Sequence, residues 1–497
     1  MNDTKQLDLK ADNSSEQYQL ISWLFLKLLS VIYFSAFLSI AVQITGLVGS
    51  NGILPFGEFL DQNYQRLGVQ ALFYFPGLFW INSSDAALQF VAYSGCVVSI
   101  VLFFAYKSRI CLIVLFVFYL SIYHAGQTFL TFQWDSLLLE AGFLAIFLTA
   151  SPGKLIIFLF HWLLFRLRFM SGISKLASGD PSWANLTTLN YYFETQPLPH
   201  IGAWYFHQLP EWMLQSGVIL VFISELIVPF FIFLTRKFRI TAAAITIFIQ
   251  LLIIATSNHN WINLLTISLC LFLLDDRLIR KILPASILPV EQGVVKDKDK
   301  DKDKGRVRGK NEIIILPVFS VIILLTSLIV FIDLFFVKNM PRVVTQSTIY
   351  VRSWGLGHGF HVFPTMQVQR HELQIEGSYD GRIWKAYKFK YKPGPLDELP
   401  AFIVPHQPRL DWMIWFVPPQ HPDFSYWFNR FILKLQQGSP EVLALLDINP
   451  FEIAPPRFIR VQVFQYKFTN SAERKESGLW WKARYLGEFP NVMPRHP

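Results

Sequence analysis

The sequence predicts a polytopic α-helical membrane protein of about nine spans, carrying a C-terminal soluble α+β domain that is rich in strands. Three observations predict it. Of 497 residues, 53% are hydrophobic and 16% charged, with a mean hydropathy of +0.36, whereas globular chains hold about 45 to 50% apolar and about 25% charged residues. Apolar runs approaching the roughly 20 residues that cross a bilayer recur along the first two thirds of the chain. From about residue 340 onward they give way to alternating apolar and polar positions, the pattern of half-buried strands.

Residues 1–20 form a polar N-terminal tail. The apolar run after it contains Lys27 and no small-residue cleavage site, which predicts an uncleaved anchor. Spans are expected near 21–42, 85–105, 110–126, 135–150, 155–170, 215–234, 239–256, 260–275 and 313–337. With the N-terminus inside, Lys107 and Arg109, and again Arg236, Lys237 and Arg239, fall in cytoplasmic turns, where Lys and Arg are enriched. The helical membrane domain is then 21–275, with a luminal or periplasmic loop at 171–214. Residues 276–312 form a charged cytoplasmic linker, 313–337 the last transmembrane helix, and 338–497 a noncytoplasmic strand-rich domain. Within the linker, KDKDKDKDK (296–304) alternates sign at every residue and has no apolar face with which to pack. Arg166 and Arg168 interrupt the run at 155–170, and losing that span would invert the C-terminal half.

In the C-terminal domain Tyr387, Phe389 and Tyr391 alternate with Lys388, Lys390 and Lys392, predicting a strand behind a hairpin turn at Asp380-Gly381. FIRVQVFQYKF (458–468) predicts another strand. SYWFNRFILKL (425–435) has helical spacing, and Ser439-Pro440 reads as an N-cap followed by a first-turn proline. The net charge of +9, in so apolar a chain, belongs to cytoplasmic loops rather than to a nucleic-acid surface. Cys96, Cys111 and Cys270 lie in apolar segments and read as small buried hydrophobes, not as a disulfide framework.

An ionisable residue inside a span is costly and marks an interaction. Spacings of three and four put Gln133, Ser136 and Glu140 on one helix stripe, with Asp135 beside them, and put His161, Arg168, Ser171 and Lys175 on a stripe of a neighbouring segment. Glu140 or Asp135 is expected to face Arg168 or Lys175 across a helix interface. Gln133, Asp135, Glu140, His161, Arg168 and Lys175 would form a polar membrane core that either fixes helix packing or opens into a cavity for a client segment or lipid. The loop residues Gly179-Asp180-Pro181, Trp183, Glu194, Thr195, Gln196, Pro197 and Trp204 suit a membrane interface. Pro405 to Trp412 combines two φ-locked prolines with a potential Arg409/Asp411 pair, in either a staple to the membrane base or a binding surface. Glu194, Trp204, Arg409, Asp411, Trp412, Trp415 and Phe416 are the candidate client-binding residues, aromatics being favoured interface anchors. His358, His361, His371 and Glu372 match no metal-ligand spacing. A GxSxG elbow and a P-loop are both lacking, so no metal, no cofactor and no lipase chemistry is expected.

Several of these segments carry a resemblance. FQWDSLLLEAGFLAIF (132–147), RFMSGISKLASGDPSW (168–183), YYFETQPLPHIGAWYFHQLP (191–210) and SNHNWINLLTI (257–267), with LQIEGSYDGRIW, YKPG and VPHQPRLDW between 373 and 412, resemble the lipase maturation factor family of polytopic membrane proteins. The likeness spans roughly residues 20–490. It implies a membrane-resident, chaperone-like and non-enzymatic factor that helps secreted lipases fold and assemble in active form, with a secreted lipase as client, membrane lipid around it and no nucleic acid. GLGHGFHVFPT (355–365) is longer and richer in His than the family pattern, and Met413 stands where members commonly have Gln. The helical part is also faintly similar to vitamin K-dependent carboxylases. The alternative is therefore a membrane enzyme that uses a lipid-soluble cofactor, with Lys175, His161 or His124 as a desolvated base. No retrieval signal is read at Arg495-His496-Pro497. A bacterial inner membrane is the favoured location, with the C-terminal domain in the periplasm; in a eukaryote the expectation is the endoplasmic reticulum membrane and lumen.

Overall fold

The computed structural model describes residues 18–104, 109–148, 152–284, 286, 288, 310–335, 340–418 and 426–489. The predicted KDKDKDKDK linker and nearly all of the polar tail lie outside them. Every predicted apolar run is helical: α1 Gln19–Ala41, α2 Asp85–Phe104, α3 Arg109–Ala125, α4 Gln133–Ala145, α5 Lys154–Ala177, α6 Glu211–Phe222, α7 Arg236–Thr256, α8 Ile262–Cys270 and α9 Lys310–Phe335. Six helices among the described residues are long and apolar enough to cross a membrane: α1, α2, α5, α6 with its continuation to Phe233, α7, and α9 from Ile315. The α3 and α8 helices are shorter apolar ones, and α4 is a 13-residue helix buried at every position after Gln133.

The α6 helix is interrupted. Ile223–Ile227 forms a π-helical turn and Val228–Phe233 a 3-10 turn with Pro229 in its first residues. Proline lacks the N–H that an α-helix would use there, and such local breaks concentrate at functional sites.

The described connections fall at two ends of the bundle. At one end the carboxylate of Asp276 accepts from the backbone N–H groups of Leu20 and Ile21, each at 3.0 Å, tying the start of α1 to the helix Asp276–Ile282. Arg236 pairs with Asp275 at that same end. At the other end the close of α1, the α3–α4, α5–α6 and α7–α8 connections all meet the C-terminal domain, through Gln43, Phe129, Thr195 and Asn258.

The C-terminal domain holds an antiparallel sheet of β1 Arg370–Ser378, β2 Lys385–Ala386, β3 Phe458–Phe468 and β4 Trp481–Glu488, in the order β2-β1-β3-β4. Arg370 to Ser378 pair in register with Tyr466 to Phe458. Asp380 makes the hairpin turn, its carboxylate accepting from the N–H of Arg382 at 2.8 Å and of Ile383 at 2.9 Å, with Gly381 at φ +72°. The predicted strand at 387–392 is not a ladder strand. Its alternation is real, with Tyr387 and Phe389 buried against Phe451 and Phe431, but only Lys388 bridges, to Ile448. Residue 340 onward also begins with a helix rather than strands, α10 Arg342–Ser353, which lies against Phe73 and Tyr74. Two further helices, α11 Arg409–Ile414 and α12 Tyr426–Gln437, complete the elements used below. Pro440 opens a short helix after Ser439, as expected, yet the Ser439 hydroxyl donates to the Asn51 carbonyl at 2.8 Å instead of capping.

One apolar core runs without interruption from the bundle into the C-terminal domain. A second joins Phe193, Ala203 and Trp204 of the α5–α6 connection and Leu214 of α6 to Tyr466, Phe468 and Trp481 of the sheet and to the adjoining Trp480. The connection and the sheet therefore share their burial.

Candidate functional site

The stripe predicted on α4 and α5 surrounds a piece of backbone. Residues 357–366, between α10 and β1, run irregularly along α4, α5 and α9, and their polar groups are met by side chains of the bundle. Glu140 accepts from Gly357 N at 3.0 Å and pairs with Arg166, which donates to the His358 carbonyl at 2.9 Å. Gln133 holds both backbone groups of His361, accepting at 2.9 Å and donating at 2.7 Å. Ser171 accepts from Val362 N, Lys175 donates to the Val362 carbonyl, and Asp180 accepts from Met366 N, at 3.1, 3.0 and 2.6 Å. Non-helical backbone is tolerated within such a bundle only where protein groups satisfy it, and these residues do so. Gly357 sits at φ +68°, where an added Cβ would lie 2.8 Å from Thr326 of α9. Only glycine fits there.

The expected pairing of Glu140 or Asp135 with Arg168 or Lys175 is not the one formed. Glu140 takes Arg166, and Asp135 takes Arg409 from α11, whose two terminal nitrogens each reach a carboxylate oxygen at 2.7 Å with both side chains fully buried. Tyr119 donates to the same carboxylate at 2.6 Å, and Arg409 also donates to the Phe129 carbonyl at 3.0 Å. Arg409 and Asp411 likewise do not pair with each other; Asp411 accepts from the N–H of Tyr391 and Lys392 at 2.8 and 3.0 Å. Burial pushes its carboxyl above the usual range. The residues just before Arg409 add to the joint: Gln407 N donates to Ser39 at 2.9 Å, Gln43 accepts from Arg409 N at 2.8 Å, and Asn260 donates to the Gln407 side chain at 2.9 Å. The 405–412 motif thus joins α1, α4 and the α7–α8 turn to the C-terminal domain.

The other candidate client-binding residues are also inside this joint. Trp412 and Trp204 are 3% and 4% exposed, so neither presents a ring to a client in this arrangement. Trp204 donates to the Thr469 carbonyl at 2.9 Å and Trp415 to the Thr195 carbonyl at 2.6 Å. Phe416 stacks on Phe132. Glu194 accepts from Phe468 N at 2.6 Å, and burial raises its pKa. Arg370, which sequence reasoning passed over, is 1% exposed, binds Glu372 and donates to the carbonyls of Glu194, Gln196 and Pro197. It fastens the α5–α6 connection to β1.

Lys175 and Arg168 find a partner that the sequence analysis missed. Glu225, in the π-turn of α6, lies 2.7 Å from Lys175 and 3.5 Å from Arg168, while Arg168 donates to Ser224 at 3.0 Å. The signal was present, since an acidic residue in the apolar run FISELIVPF is as costly as one in α4. This triad borders a cavity of about 720 Å³ between α5, α6 and α7, bounded by residues 361–366 and by Trp412, Trp415 and Phe416. Of the three candidate bases only Lys175 lines it. His161 donates to the Phe272 carbonyl and His124 to the Ser353 carbonyl, each at 2.7 Å. His358 donates to the Arg352 carbonyl at 2.9 Å. Among the described residues no group of three His, Cys, Asp or Glu side chains is placed to hold a metal ion.

A helical membrane bundle whose polar interior cradles a backbone segment, and whose C-terminal sheet domain is locked onto one end by a buried ion pair, defines a polytopic membrane protein with a docked C-terminal sheet domain. The chain belongs to the lipase maturation factor family: residues 20–281 match the lipase maturation factor transmembrane domain and 357–491 the lipase maturation factor C-terminal domain. It is 31% identical to lipase maturation factor 2 of Xenopus laevis over 95% of this chain and 82% of that protein. Lipase maturation factor 2 of Homo sapiens is 30% identical over 95% and 83%, and lipase maturation factor 1 of Mus musculus 30% over 96% and 88%. No solved structure matches.

Proposed function

We propose that the chain matures secreted lipases from the noncytoplasmic face of a membrane, acting as a chaperone-like factor with no chemistry of its own. The observation that carries this reading is the likeness to proteins named lipase maturation factor 1 and 2 over 93% or more of the chain, which takes in both the bundle and the docked domain. All nine helices are passes in this reading, the short α4 being shielded from lipid by its neighbours. The end with Arg236, Lys237, Arg239, Arg277, Arg280 and Lys281 faces the cytoplasm, as the excess of Lys and Arg in cytoplasmic loops favours. The sheet domain then faces the periplasm of a bacterium, the favoured source, or the lumen of the endoplasmic reticulum in a eukaryote. Residues 194–204 and 409–416 serve the function from inside, by fixing the domain on the bundle. The test is the specific activity of secreted lipases in cells with and without the protein. Lipase that is made in equal amount but is inactive and aggregated in its absence supports the reading; active lipase in both cells overturns it.

A further inference from the structure

We propose that the cavity between α5, α6 and α7 is a binding site for an acyl amphiphile with an anionic, acceptor-rich head. Three features of its wall define that ligand. The charged groups on it are Arg168, Lys175 and Glu225, so two cations share one carboxylate and, among the described residues, one positive charge is left without a counterion. A buried charge in this setting calls for a partner. Second, five donors on residues lining the cavity, Trp134 Nε1, Arg168 Nε, Trp183 Nε1, Asn263 Nδ2 and Trp412 Nε1, meet no acceptor among the described residues although all are buried. The residues that carry them are 7%, 6%, 6%, 3% and 3% exposed. Buried donors are normally paired, and these share one need, for oxygen acceptors. Third, away from the triad the wall turns apolar, with Leu214 and Leu220 of α6 opposite Phe248, Ile249 and Ile253 of α7. The outward sides of these helices carry exposed apolar residues, among them Ile219 and Leu251, so the site is reached from among lipid tails. The volume of about 720 Å³ lies within the roughly 300–1,000 Å³ of small-molecule sites.

A carboxylate head and a phosphate head offer the same chemistry here, and the site takes its ligand whether or not the lipase reading holds. The test uses the full chain in lipid nanodiscs with three photoactivatable probes: a diazirine fatty acid, a diazirine phosphatidylglycerol and a neutral diazirine acylglycerol. Crosslinked peptides are mapped by mass spectrometry. The expected result is saturable labelling of 213–221 and 248–256 by an anionic probe, displaced by the unlabelled compound. Labelling by the fatty acid assigns a carboxylate head, labelling by the phospholipid a phosphate head, and either supports the site. Arg168→Gln, which removes head contacts, and Leu220→Trp, which fills the tail region from a half-buried position, should each lower it about tenfold in protein that still elutes as one species. No saturable labelling, equal labelling by the neutral probe, or labelling unchanged in well-behaved Leu220→Trp overturns the proposal.

Discussion

Arg409 and Asp135, 274 positions apart in the chain, meet as a bidentate pair with both contacts at 2.7 Å and no exposed side-chain surface on either. The pair crosses from the C-terminal domain to the first turn of α4. Paired contacts of this kind fix orientation as well as proximity, so the register of the domain on the bundle is set here rather than by apolar contact alone.

Removing one partner leaves the other as a buried, uncompensated charge, at a cost of about 3–5 kcal/mol, whereas replacing both by apolar residues is often nearly neutral. Asp135→Leu and Arg409→Met should therefore each expose the C-terminal domain to protease in mild detergent, and the double variant should recover much of the protection. Additive losses in the double variant would show that the two side chains act separately.

Gly357→Ala places a Cβ 2.8 Å from Thr326 at a backbone angle of φ +68°. Strain of this kind costs about 1–3 kcal/mol, before any displacement of α9. The expected outcome is a lower melting temperature and faster hydrogen exchange confined to residues 355–366 and their cradle. Thr326→Ala in the same chain should restore part of the loss by clearing the space.

His406 lies in the joint with Nδ1 3.0 Å from Ser39 Oγ, and burial, reinforced by Arg409 and Lys390, holds its pKa at about 4. An unfolded imidazole titrates near 6.5. The folded value is the lower one, so its stabilisation is complete above about pH 6.5 and is lost as pH falls toward 4. Asp411 and Glu194, raised by burial, act oppositely and favour the fold at low pH. Proteolysis of the joint should thus rise on acidification from about pH 7 to about 5 in the parent and rise less in His406→Asn. Equal responses would place the sensitivity elsewhere.

The placement of the described connections at two ends of the bundle predicts that positions 237 and 475 lie on opposite sides of the membrane. Lys237→Cys and Lys475→Cys, both at exposed positions, should react with a membrane-impermeant maleimide from opposite faces of sealed vesicles. Reaction from the same face would mean an even number of passes between them.

Much of the fold is legible from local pattern. The apolar runs, the 458–468 strand and the Asp380-Gly381 turn depend on residues within a few positions of one another; each run holds a helix, though α4 ends at Ala145, α8 at Cys270, and α6 breaks after Phe222. The polar core was legible as a set of costly residues but not as a set of partners. Glu140 answers to Gly357, and Asp135 to Arg409, across separations of 217 and 274 residues that no helical periodicity spans. The 355–365 run read as an excess of Gly and His; its entry into the bundle depends on donors and acceptors from α4 and α5 at once, with α9 packed against its glycines. Burial of Trp204 and Trp412 was hidden for the same reason, since an aromatic anchor for a client and one for the chain's own joint look alike in sequence.

The proposed maturation of lipases requires the docked domain, held in register by Arg409 and Asp135. The most direct measurement is the specific activity of a secreted lipase in cells lacking the protein, complemented with the parent chain, Asp135→Leu, Arg409→Met or the double variant, each at matched membrane abundance. Full rescue by the parent, failure of both single variants and substantial rescue by the double variant is the predicted result. Rescue by the single variants as complete as that by the parent would contradict the claim.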